Sequence, residues 1–186
     1  MSGMAIIFCG VAIWNVIFLI VSIATAYLGP AADPGAWWHF TVGVFTGIFT
    51  MFTHCLVIIH VAGSSKGIKE AIGAYGLSDD PETGFQRRIR RNRARISPYA
   101  YLGSLLMMGV VFLGGWHHSK LLYHESQGFN LSGEWHRWAA WFAVAFNLYA
   151  FWKEFQVVQD NTRIIREMND LLEEKGLVEG MKHETA

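Results

Sequence analysis

No lysine or arginine occurs before Lys66, and charged residues make up only 16% of the 186 residues. Soluble domains carry about 25%, so a chain this poor in charge is not an ordinary water-soluble globule. Cysteine is scarce as well. Cys9 and Cys55 stand alone in apolar segments with no CxxC pair, which excludes a thiol-redox relay and reads as two small buried hydrophobes. Also missing are HExxH, a Glu-x-x-His pair on a helix, and the histidine boxes of membrane hydroxylases and desaturases. Those chemistries have no framework here.

Apolar residues fill the space: 52% are hydrophobic, and the mean hydropathy is +0.25. Four segments of roughly 20 apolar residues, enough for a hydrocarbon core, run over about 4–28, 37–62, 98–116 and 133–152. The first is too long for the apolar region of a signal peptide and has no basic residues before it, so it reads as a retained helix. Ser97 as N-cap and Pro98 at the first helical position are expected to open the third. Beyond the fourth, Phe155, Val158, Ile164, Ile165, Met168, Leu171 and Leu172 keep helical spacing among charges. This predicts an amphipathic extension to about Glu174, set on the membrane surface or against a partner. The expected fold is an all-α, single-domain, up-down bundle of four transmembrane helices over 1–175, with a disordered tail at 176–186.

Charge sets the expected orientation. Of the 15 Lys and Arg, all but Lys120 and Arg137 lie between spans two and three or after span four. The positive-inside rule then places both termini and the basic loop in the cytoplasm, most simply at a bacterial inner membrane. Arg87 to Arg95 reads as a topology signal that also attracts anionic headgroups, not as a nucleic-acid site. Trp37, Trp38, Trp116, Trp135 and Trp138 collect at the opposite interface as an aromatic belt.

Histidine carries the functional signal. His39, His117, His118, His124 and His136 all fall at the outer level, delivered by spans two, three and four. On span two, His39, Gly43, Thr46, Gly47, Thr50 and His54 share one helical face. His39 and His54 lie about 22 Å apart along it. Small residues on that face let a helix or a flat cofactor approach the backbone. The leading expectation is a haem b with His39 paired with His117, His118 or His136, Arg137 or Lys120 meeting its propionates, and Gly43 and Gly47 beside the ring. His54 suggests a second, inner haem but has no histidine partner at its depth. With His60 it is alternatively a contact for quinone, the expected redox partner.

Two other readings compete. A non-haem copper, zinc or iron site would draw on His117, His118, His124, His136, Glu125, Glu134 and Asp33. A cofactor-free structural subunit would need none of these side chains. In every reading the chain contacts the lipid bilayer and works as a homo-oligomer or within a larger membrane complex, because span one has an apolar outer surface and few polar positions. Asn147 in span four needs a buried partner. In span count and interhelical histidines, the arrangement is similar to small four-helix membrane cytochromes b and to the membrane anchors of succinate dehydrogenase. That likeness implies haem-linked electron transfer.

Overall fold

The computed structural model describes residues 3–28, 36–76, 84–123 and 133–177, with side chains placed at all but 36, 117–123 and 133. They form four helices: α1 (Gly3–Leu28), α2 (Ala36–Ala74), α3 (Phe85–Tyr123) and α4 (Gly133–Glu174). Among them α1, α2 and α3 are long and apolar enough to cross a membrane.

Residue pairs fix the topology. Asn15 of α1 meets Thr50 and Thr53 of α2, while Thr25 and Ser22 meet His39, so α1 and α2 are antiparallel. Arg88 pairs with Glu167, and Arg95 with Asp160, so α3 and α4 are antiparallel too. His54 meets Asn147 and Glu154, and His60 meets Asn161, so α2 and α4 run in the same direction. The result is an up-down-up-down bundle in which, among the described residues, no Cα of α1 comes within 8 Å of one of α3. One end carries most of the basic residues, and the other carries Trp37, Trp38, Trp116, Trp135 and Trp138.

Three helices continue far past the apolar stretches. Sequence spacing predicts that α2 stops near Ala62 and that α3 starts at Pro98. Instead α2 runs to Ala74, and α3 begins at Phe85 with Pro98 inside it. The physical reason is a continuous interior stripe. Phe85, Ile89, Asn92, Ile96, Ala100, Gly103 and Met107 are all buried at steps of three and four, carried straight through the arginines. Pro98 removes one N–H from the helix ladder, but on the exposed side, where solvent or headgroups can satisfy the released carbonyl. Ser97 is no cap: its hydroxyl donates to the Arg93 carbonyl.

Together these extensions make a three-helix stalk at the basic end. Ile68, Ile72, Phe85, Ile89, Ile164, Met168 and Leu172 form its core. The amphipathic part of α4 therefore packs against this chain's own α2 and α3. The Arg87–Arg95 segment is helix, not loop. Gly176 ends α4 in a left-handed turn (φ 63°), with Leu177 N–H donating to Leu172 O and Gly176 N–H to Glu173 O. That bonding is the Schellman pattern, which places a glycine just past a helix end.

Candidate functional site

At the tryptophan end, all four helices surround a cavity of about 420 Å³. Its wall is mostly apolar, with His39, His136 and Arg137 as its nitrogen-bearing side chains besides Trp141. The two imidazoles come from α2 and α4. Their ring centroids are 6.2 Å apart and their planes 72° from parallel.

Each ring is held from behind. His39 Nδ1 lies 3.1 Å from the Ser22 carbonyl and 3.4 Å from Thr25 Oγ1. A carbonyl only accepts, so Nδ1 carries the hydrogen, and in the neutral ring Nε2 keeps its lone pair. His136 lies against Gly114 of α3, where a Cβ would come within 2.8 Å of Cε1. Only a glycine lets the ring occupy that position. A Cβ at Gly43, which also lines the cavity, would meet only Ser22 Oγ at 3.8 Å. Gly47 is closed over by Val111 instead, with 2.8 Å to a built Cβ, and so serves the contact between α2 and α3.

Arg137 sits at the rim, exposed and paired with Glu134 one turn earlier. Trp141 Nε1 donates to the Tyr27 hydroxyl across the α1–α4 edge at 3.3 Å. Trp37, Trp38, Trp116, Trp135 and Trp138 are all exposed at this end.

His54 belongs to a different construction. It is fully buried, with Nδ1 2.6 Å from Glu154 Oε1 and Nε2 2.7 Å from Asn147 Oδ1. Both ring nitrogens are thus engaged by side chains of α4. Asn147 Nδ2 donates to the Ala143 carbonyl, which fixes the amide so that its oxygen faces the imidazole. His54 Nε2 must therefore carry a hydrogen. A single further proton between Nδ1 and the Glu154 carboxylate is enough to make that contact a hydrogen bond.

Of the outer histidines predicted from sequence, His39 and His136 come together. The side chains of His117 and His118, and the whole of His124, lie outside the described residues, as do Lys120, Glu125 and Asp33. Among the described residues no three His, Cys, Asp or Glu side chains gather as metal ligands. Sequence reasoning missed Glu154, Asn161, Gly103 and Gly114. A signal existed for two of them, since Asn147, Glu154 and Asn161 recur every seven residues on the interior stripe of α4. No known protein family, curated protein or solved structure matches this chain.

Proposed function

We propose that this chain is a membrane-embedded haem b protein that transfers electrons, with His39 and His136 as the axial pair. The distance between the two imidazoles carries the reading. A metal–imidazole bond of about 2 Å, added to roughly 1 Å from ring nitrogen to ring centre on each side, sets trans imidazoles about 6 Å apart. The observed separation is 6.2 Å. His39 also has the second-sphere bond typical of a ligand, an Nδ1–H donated to a backbone carbonyl, which orients the ring and raises its basicity. Only two protein ligands are needed, and among the described residues His39 and His136 come together.

Held by His39 and His136, the bound group would supply one-electron transfer. The chain's own contribution is positioning. Gly114 seats His136, Gly43 opens the wall, Arg137 offers a cation at the rim, and the apolar lining of α1 and α3 keeps water away. In this reading the first half of α4, free of Asp, Glu, Lys, Arg and His over 138–152, is the fourth span. The basic end faces the cytoplasm of a bacterial cell by the positive-inside rule. A membrane quinone is the expected partner, within a homo-oligomer or larger complex.

The deciding experiment is an absorption spectrum of the purified protein before and after dithionite, with elemental analysis alongside. A Soret band and a sharp reduced α band are expected, and both should be lost in His39→Ala and in His136→Ala. Copper or zinc without those bands would favour a non-haem site. A colourless, metal-free protein would leave only the structural-subunit reading.

A further inference from the structure

Toward the basic end, some buried polar side chains leave partners wanting. His54 and Glu154 are the only fully buried ionisable side chains among the described residues. Glu154 Oε2 is buried without a hydrogen-bond partner among those residues, and so are Asn161 Oδ1 and Asn92 Nδ2. Orphaned buried polar atoms are rare and call for water or an ion. These three lie along one stretch of the interior. Asn161 lies two turns beyond Glu154 on the same stripe of α4, about 10 Å along the axis. Asn92 comes to that level on α3, as the flanking pairs Arg95–Asp160 and Arg88–Glu167 show.

The chemistry of the orphans is complementary. Asn92 offers a donor, and Asn161 and Glu154 offer acceptors, which suits bridging water with two to four polar contacts. His60 stands at the outlet, half-buried, with Nε2 3.3 Å from Asn161 Nδ2. Bulk water is close at this level, because the Arg95–Asp160 ion pair is exposed there. Lys153 reaches back over the Trp152 ring at 4.4 Å, as a snorkelling residue does at an interface.

We propose that the His54–Glu154 pair is a proton-binding station, reached from the basic end by a short hydrated path past His60, Asn161 and Asn92. A proton arriving from water bonds to Glu154 at Oε2, while the proton already shared with His54 settles on Nδ1. The pair passes from neutral to singly positive and returns the proton to water by the same route. Surrounding groups leave this charge uncompensated. α1 brings Asn15 and Phe8 to the interior, and α3 brings Gly103, with Tyr99 on the flank against Tyr149. α2 adds only His60, and on α4 Lys153 points outward while Asp160 is committed to Arg95. The proposal does not depend on any haem.

Infrared difference spectroscopy of the full-length protein in nanodiscs, stepped in pH and exchanged between H2O and D2O, tests it. One reversible carboxyl band should titrate over the stepped pH range and vanish in Glu154→Gln, whose amide can still donate to His54 Nδ1. Asn161→Leu should leave the band's amplitude intact and slow its deuterium exchange at least about tenfold, by removing a polar partner of the path. An unchanged spectrum in Glu154→Gln, or a band that neither titrates nor exchanges, would overturn the station. Equal exchange in Asn161→Leu would overturn the path. If Glu154→Gln fails to fold, isotope-labelled histidine nitrogens in the wild-type protein still decide the matter: a His54 Nδ1 resonance constant over the same range defeats the proposal.

Discussion

Gly103 of α3 lies so close to His54 of α2 that a Cβ there would stand 2.5 Å from Nε2 and 2.8 Å from Asn147 Oδ1. Neither atom is the loose end of a flexible side chain. Both are fixed by the hydrogen bond they share and by the Asn147 bond to Ala143. The glycine is a condition for the triad.

Gly103→Ala should therefore destabilise the protein by about 1–3 kcal/mol, through overpacking and the loss of a buried hydrogen bond. Gly109→Ala, with open space around its built Cβ, is the matched control. It should be neutral or slightly stabilising, since alanine favours helix. Thermal melting in detergent compares the two, and equal melting temperatures would show that the triad can shift at no cost.

A methyl group at Gly114 would push His136 from its seat without removing the imidazole. If His136 holds a haem as proposed, Gly114→Ala should lower haem content per protein well below wild type while the helical circular dichroism stays the same. The readout is a haem assay normalised to protein, and undiminished haem would mean that the position of His136 is immaterial.

Asn15 ties α1 to α2, accepting from Thr50 and donating to Thr53 at 3.0 Å each. Asn15→Leu should cost only about 0.6–2 kcal/mol, the range for interhelical hydrogen bonds in membranes. The threonines are not stranded by it: Thr53 donates to the Phe49 carbonyl, and the single hydroxyl hydrogen of Thr50 can turn to the Thr46 carbonyl at 2.8 Å. Melting should report this small loss. A loss above about 4 kcal/mol would be exceptional for one substitution and would mean that α1 docking depends on this contact alone.

In the stalk, the Arg88 guanidinium hydrogen-bonded to Glu167 holds that carboxyl below its ordinary value of 4.5. A depressed carboxyl stabilises the fold fully above the ordinary value, and the contribution fades as pH falls through the lower, folded-state value. Both side chains are about two-fifths exposed, so the pair contributes no more than about 1 kcal/mol. Arg88→Gln should lower the melting temperature slightly at pH 7 and narrow its gap to wild type in acid. A gap that widens on acidification would contradict the assignment.

Much of this architecture can be read from residue spacing, with instructive exceptions. Apolar runs locate the bundle, and Gly176 marks the end of α4. The start of α3 was obscured by Pro98 and the arginine-rich stretch, two strong local signals outweighed by the long-range stripe from Phe85 to Met107. His39 and His136 are recognisable as a pair because both sit at one level near the tryptophans. The role of His54 was not legible. Its partners are about a hundred positions away, and a helical face alone does not say whether a ring meets a cofactor, a carboxylate or another helix. The seven-residue recurrence of Asn147, Glu154 and Asn161 contained the answer, but only packing against α2 reveals it.

The stalk core of Ile68, Ile72, Phe85, Ile89, Ile164, Met168 and Leu172 has an energetic consequence. Where these helices stand in water, burying each such side chain is worth about 1.5–3 kcal/mol. Where the same helices stand in lipid, that driving force is absent and close fit with polar ties must suffice. Urea, which weakens the first kind of cohesion and scarcely touches the second, should unzip each long rod from its watery tip and leave the lipid-embedded portion standing.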